Sequence, residues 1–366
     1  MSVLGEIGLG ERFRFGVNLS GAEHDTRNLP GDYVTNYEYP SAGTIDAYAA
    51  AGCSLVRLPF RWERLQRRLF ADFDLVERQR LIGAVDAATR RGLLVVLDPH
   101  NYAGYRLWYG DGQGHKIGTE AVPVDAFADF WGRLAPDFAD NPAVLFGLMN
   151  EPQGIGIGPW RDAAQAAIDA IRATGAGNLI LAPSTDWTGG HSWFKNDKHA
   201  VLATLRDPAG RMAWEAHQYL DSDNSGTHPT VVSPVIGPER LARLTEWARA
   251  RGEMVFLGET NAGDRNALDR ASAPWRALTG LMDYLLANRD VWLGAALWCS
   301  SHRTPPGYFF RTDPDDPRLV EALARVRATD PALGDRGDAA DGLDPAIRVA
   351  IDEGLARAFR RGRGVF

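Results

Sequence analysis

An alternation along the chain narrows its possible folds more than any other feature. Short apolar runs recur at Phe13–Leu19, Ser54–Leu58, Leu93–Asp98, Val144–Met149, Leu179–Ala182, Met212–Ala216, Val255–Gly258 and Leu293–Trp298. Between them Asp74–Arg91, Val124–Ala139, Trp160–Thr174, Pro238–Arg251 and Pro274–Asn288 carry apolar residues at helical spacing. Strands that are apolar on both faces and separated by helices imply a parallel sheet covered by those helices.

An open doubly wound sheet would satisfy the same alternation. The closed barrel is preferred because polar and aromatic residues follow nearly every run, and a barrel gathers those positions on one rim. No Gly-x-Gly-x-x-Gly or Walker-type lysine loop follows any strand. The predicted class is therefore α/β: a single (β/α)8 TIM barrel over residues 1–329. A chain of 366 residues, 45% hydrophobic and 24% charged, is long enough for one such core. Beyond it, 330–344 is rich in Asp, Gly and Ala and is expected to be a linker. Ile347, Ile351, Leu355 and Phe359 then share one face of a helix ending in arginines. This predicts an amphipathic C-terminal helical tail that packs on the barrel or stands in solvent.

A net charge of -7 offers no long-range attraction to nucleic acid or anionic lipid, so neither is an expected partner. With only Cys53 and Cys299, the chain can build neither a disulfide framework nor a multi-cysteine metal cluster. No stretch has the length of a membrane span, and Met1–Phe15 shows no signal-peptide pattern, which leaves the compartment open.

Two strand ends carry the chemistry. The fourth run leads into Asn150-Glu151-Pro152, and the seventh into Glu259-Thr260-Asn261. Strands four and seven lie nearly opposite on an eight-stranded rim, so these carboxyls can face each other across the mouth. Cleavage of a glycosidic bond with retention needs such a pair about 5 to 5.5 Å apart, one ionised to attack the anomeric carbon and one protonated to assist the leaving oxygen. Either glutamate alone could equally be salt-bridged to a strand-end arginine. The two together favour catalysis.

Asn150-Glu151-Pro152 and Gly258-Glu259-Thr260 resemble the acid/base and nucleophile motifs of glycoside hydrolase family 5. The string His217-Gln218-Tyr219-Leu220-Asp221-Ser222-Asp223-Asn224-Ser225-Gly226-Thr227-His228 is more specific. It resembles the family's fungal and bacterial endo-β-1,4-glucanase branch, and Val17–Glu23, His100-Asn101-Tyr102 and Gly147–Pro152 agree. The resemblance implies a metal-free, cofactor-free double displacement on a β-1,4-glucan, with Glu151 as acid/base and Glu259 as nucleophile. It further implies a polysaccharide or oligosaccharide substrate, a monomer, and a secreted or periplasmic setting. The absence of a binding module and of a Ser/Thr-rich linker turns the expected substrate from crystalline cellulose to a soluble or amorphous glucan. A mannan, a mixed-linkage glucan or a bacterial exopolysaccharide is the alternative within the same mechanism, and a non-catalytic carbohydrate-binding barrel is the distant one.

Further site residues follow by motif. Arg57 is expected to hold Glu259 ionised through a charge-assisted hydrogen bond. The resemblance gives Tyr219 a hydrogen bond to Glu259, and places His217 near the nucleophile although read alone it is a rim histidine. His100 and Asn101 are expected to donate to sugar hydroxyls or else to cap their loop, and Asn150 to hold the 2-hydroxyl. Trp187 and Trp298 are expected to stack on pyranose faces. Most of the 11 tryptophans must serve the core.

Overall fold

The computed structural model describes residues 12–330 apart from 109, 110, 113 and 302. Eight parallel strands close into a barrel: β1 (Arg14–Leu19), β2 (Leu55–Phe60), β3 (Leu94–Pro99), β4 (Val144–Gly147), β5 (Ile180–Pro183), β6 (Met212–His217), β7 (Val255–Thr260) and β8 (Trp292–Ser300). Each pairs with its sequence neighbours, and β8 pairs with β1. All eight expected strands are present, with ends shifted by up to two residues. A helix follows each: α1 (Ala42–Ala51), α2 (Leu75–Arg90), α3 (Val124–Leu134), α4 (Ile157–Ala173), α5 (Lys198–Leu202), α6 (Ile236–Arg251), α7 (Ala273–Ala287) and α8 (Pro317–Thr329). None of the described helices is long and apolar enough to cross a membrane.

Local signals set the helix ends. The Asp74 side chain accepts from the Glu77 amide and starts α2, Ser272 does the same for α7, and Gly252 ends α6 in the left-handed conformation. Helices α1, α5 and α8 and a small hairpin, Gly104–Tyr105 with His115–Lys116, were not expected. α8 ends at Thr329. The linker and tail helix expected over 330–366 lie, from 331 onward, outside the described residues.

The core has two parts. Leu55, Leu94, Val96, Leu145, Leu181, Ala213 and Phe256 form the inner plug of the barrel. A larger shell between strands and helices holds Trp62, Trp131, Trp160 and Trp292, all fully buried. Burying an aliphatic or aromatic side chain of this kind contributes about 1.5 to 3 kcal/mol. Side chains alternate along a strand, so the row that begins with plug residues continues upward two residues at a time. Leu55 leads to Arg57, Val96 to Asp98 and His100, and Ala213 to Glu215 and His217. Polar groups thus replace the plug as the barrel opens at the C-terminal ends of its strands.

Candidate active site

Glu259 owes its direction to an irregularity. Ala216 pairs with Leu257 but His217 pairs with Glu259, so Gly258 is an extra residue in β7 opposite β6. Strict alternation from the inward-facing Phe256 would turn Glu259 out of the barrel. A bulge of this kind re-aims the next side chain, here into the mouth. Gly258 cannot be replaced cheaply, because a Cβ there would stand 2.3 Å from Glu215 Oε1.

Glu151 lies four residues past the end of β4, in a segment tied to β3 by the Asn150 amide donating to the Pro99 carbonyl at 2.9 Å. Its φ of 43° is left-handed, an unfavourable conformation for a glutamate that the surrounding structure must hold. One carboxylate oxygen each of Glu151 and Glu259, together with a His217 ring nitrogen, lie within 4.8 Å of one another. Glu259 is buried, and the Glu151 side chain retains 14% exposure.

Arg57 organises the floor. Its Nη1 donates to Glu259 Oε1 at 3.1 Å and to Asn18 Oδ1 at 2.9 Å, and lies 2.7 Å from Asp98 Oδ2. Its Nε donates to Glu215 Oε1 at 2.9 Å and its Nη2 to Asn150 Oδ1 at 2.8 Å. The Tyr219 hydroxyl donates to the other Glu259 oxygen at 2.8 Å. Burial, then the neighbouring Glu259, push that hydroxyl far above its usual range, so it stays a donor.

Arg57 favours the ionised form of Glu259, as expected, but burial works against it. Arg57 and Tyr219 both touch it as predicted, yet its pKa moves up rather than down. Burial is the largest influence and raises it. His217, Arg57 and His100 pull it down, Glu151 adds to the rise, and the balance stays upward. Removing a carboxylate from water costs more than these cations return.

His217 sits inside β6 rather than past its end, as the sequence suggested. Its Nδ1 stands 2.8 Å from Glu151 Oε1 and 3.7 Å from Glu259 Oε2, and its Nε2 lies 3.4 Å from Glu215 Oε1. Burial works against a charged ring, but Glu259, Glu151 and Glu215 outweigh it and push the His217 pKa up to about 10. The surrounding carboxylates thus favour the protonated ring. His217, Glu151 and Glu259 are spaced as three metal ligands could be, but a metal would have to displace the ring proton, and Arg57 beside Glu259 opposes another cation.

The remaining expected residues divide. Asn150 joins the floor and donates to His100 Nε2 at 3.1 Å, leaving one amide hydrogen for a ligand. His100 Nδ1 stands 2.7 Å from Asp98 Oδ2, and its ring stacks on Trp298 at 5.4 Å. It therefore braces Asn150 and Trp298. Asn101 does not fit the sugar-binding expectation: its Oδ1 accepts from the Trp62 amide, and its Nδ2 donates to Glu63 Oε2 and the Gly104 carbonyl. Its donors are spent on holding the loop, the alternative left open by the sequence. Trp298 is partly exposed above His100, and Trp187 is 53% exposed, set in a run of three left-handed residues and edge-on to Tyr102 at 5.6 Å.

Asn18, Asp98 and Glu215 were not singled out from sequence, although all three contact Arg57. For Asp98 and Glu215 the available signal was their place in the inward row, two residues from a plug position and from a site position.

The chain is similar in sequence and fold to known proteins. The family model for cellulase, glycosyl hydrolase family 5, matches residues 13–301. Endoglucanase gh5-1 of Neurospora crassa is 40% identical over 288 residues, 78% of this chain and 69% of that protein. Endo-β-1,4-glucanase A of Emericella nidulans is 38% identical over 82% of this chain and 86% of its own length. An endo-β-1,4-glucanase structure from Xanthomonas axonopodis pv. citri superposes with a TM-score of 0.80 at 41% identity, covering 87% of this chain and 99% of that one. XacCel5A, solved in complex with cellopentaose, gives 0.80 at 40% identity, covering 86% and 98%. A match of this extent in sequence and fold, around two glutamates that meet at the ends of β4 and β7, makes the chain a member of glycosyl hydrolase family 5.

Proposed function

We propose that this protein is an endo-β-1,4-glucanase that cuts internal bonds of a soluble or amorphous β-glucan with net retention, Glu259 attacking and Glu151 serving as acid and base. The observation that carries the proposal is the approach of the two carboxylates to within 4.8 Å. Oxygens this near are compatible with the roughly 5 to 5.5 Å between the carboxyl groups of retaining hydrolases. The named relatives support the polymer and the endo mode. Because a polymer does not cross a membrane, action outside the cytoplasm belongs to the same proposal.

The hydrogen bonds divide the roles of the pair. Both Glu259 oxygens accept from donors, Arg57 and Tyr219, so protonating Glu259 would sacrifice one of them. The acid role is therefore given to Glu151. In the first step a Glu259 oxygen bonds to the anomeric carbon, the glycosidic C–O bond breaks, and the Glu151 proton passes to the leaving oxygen. In the second, Glu151 takes a proton from water, the water oxygen bonds to the same carbon, and the bond to Glu259 breaks. The free Asn150 amide hydrogen is suited to the 2-hydroxyl, and the Trp187 and Trp298 rings to pyranose faces.

Proton NMR during hydrolysis of cellopentaose tests the proposal. The first-formed reducing ends should be β anomers that later mutarotate. First-formed α anomers, or cleavage of glucomannan but not of carboxymethylcellulose or cellopentaose, would overturn it. The acid role has its own test. Glu151→Gln should lower kcat/KM on cellopentaose by about 100- to 10,000-fold. It should cost far less on a dinitrophenyl cellobioside, whose leaving group departs without a proton. An equal loss on both substrates would remove Glu151 from the acid role.

A further inference from the structure

Two residues before His217, in the same inward row of β6, lies Glu215, 1% exposed. Its Oε1 accepts from Arg57 Nε at 2.9 Å and stands 3.4 Å from His217 Nε2. Arg57 and His217 in turn reach the two glutamates: Arg57 contacts Glu259, and His217 contacts Glu151 while lying 3.7 Å from Glu259. One buried carboxylate thus grips both cations of the site from beneath.

The neighbouring strands make room for it. A Cβ on Gly258 would stand 2.3 Å from Glu215 Oε1 and 2.8 Å from His217 Nε2, and one on Gly147 would stand 3.5 Å from Glu215 Oε2. Packing alone gives no reason for a carboxylate here. An apolar side chain of similar volume commonly serves a buried position as well as a paired charge does, and the plug just below is Leu, Val, Ala and Phe. Glu215 Oε2 has no hydrogen-bond partner among the described residues.

We propose that Glu215 is a positioning residue for hydrolysis: it holds Arg57 and His217 in place and charged, so that His217 Nδ1–H points at Glu151 Oε1 and the Glu151 proton is carried on Oε2. This rests on the assignment of Glu151 as acid and Glu259 as nucleophile. The charged groups facing the His217 ring are Glu151 from the segment after β4, Glu259 from β7 and Glu215 from its own strand, with Arg57 of β2 bonded to the last two. A neutral ring with its proton on Nε2, toward Glu215, would offer a bare Nδ1 to Glu151. The acid proton would then be drawn into that hydrogen bond instead of the leaving oxygen.

Glu215→Gln keeps an acceptor for Arg57 and removes one negative charge. Both carboxyls above it then ionise more readily, so both limbs of the kcat/KM–pH profile on cellopentaose should move to lower pH by about half a unit or more. The kcat should fall about tenfold or more while KM changes little, because Glu215 touches no substrate. The His217 ring, followed by 15N NMR, should lose its proton at a pH below that of the wild-type protein. Glu215→Asp keeps the charge and should return both limbs toward their wild-type positions.

Limbs and His217 titration unchanged in Glu215→Gln would overturn the proposal, even with a lowered kcat, because packing alone would then explain the loss. Should the Gln variant fail to fold, displaced limbs in the folded Asp variant would overturn it instead. Glu259→Gln measured alongside separates the two levels. Full activity there defeats the assignment of the catalytic pair, whereas an inactive Glu259→Gln beside an unshifted Glu215→Gln defeats only the role of Glu215.

Discussion

Glu259→Gln is expected to abolish hydrolysis, lowering kcat on cellopentaose by about 10,000-fold or more, while leaving the protein as stable as the wild type or more so. The loss follows from chemistry: an amide cannot form the covalent bond to the anomeric carbon, and the neighbouring Glu151 cannot approach the same carbon from the opposite face. The stability follows from the sign of the pKa shift. Glu259 is displaced upward chiefly by burial, so the folded state binds its proton more tightly than the unfolded chain does. Its contribution to stability is present below the ordinary carboxylate range and is lost as pH rises through the raised value. A neutral amide escapes that loss. At pH 7 the thermal midpoint should therefore hold or rise as activity vanishes, measured by calorimetry and reducing-sugar release on one preparation. A smaller Glu259→Gly variant, given azide and a dinitrophenyl β-cellobioside, should form the α-glycosyl azide, because the external anion enters from the face the carboxylate vacated. A folded Glu259→Gln protein with wild-type turnover, or a β-azide from the glycine variant, would remove Glu259 from the nucleophile's place.

The barrel was legible because parallel strands buried on both faces leave continuous apolar runs, and because Asp74 and Ser272 punctuate the helices they start. What was hidden had local causes. α1 is rich in Ala and has no clear polar face, α5 spans only five residues, and the apolar positions of α8 fell in a stretch read as the end of the barrel. At the site, the position of Glu151 and Glu259 could be read from strand ends, but the direction of Glu259 depends on a bulge that only the pairing of β6 with β7 reveals. The two roles open to Asn101 could not be decided for a similar reason: its partners Trp62 and Glu63 are 39 and 38 residues away and come from the segment after β2. Asp98 and Glu215 escaped notice because a charge within an apolar run reads as a strand end or a surface position. Three-dimensional closure is what turns them toward Arg57.

Arg57→Met is expected to destabilise the fold as severely as any single change in the site. It should cost about 3 to 5 kcal/mol at pH 7, the usual penalty for removing one side of a buried ionic cluster. The guanidinium is 1% exposed and contacts three carboxylates, Asp98 at 2.7 Å, Glu215 at 2.9 Å and Glu259 at 3.1 Å. Methionine fills much of the volume, so the loss would come from charge rather than from a cavity. With their cation gone, the buried carboxylates can become neutral only by taking up protons, which they would hold more tightly than in the unfolded chain. Groups whose folded pKa is raised contribute stability at low pH and lose it as pH climbs. The variant should therefore gain stability as pH falls from 7 toward about 5, a gain the wild-type protein should not match, because there Arg57 balances the same charges. Activity should be lost throughout, since Glu259 would be held protonated and Asn150 would lose the Arg57 Nη2 hydrogen bond. Urea unfolding at pH 5 and pH 7 decides the matter. Parallel wild-type and variant pH dependences would mean that Arg57 contributes packing rather than charge, and the electrostatic account of the site floor would fall with it.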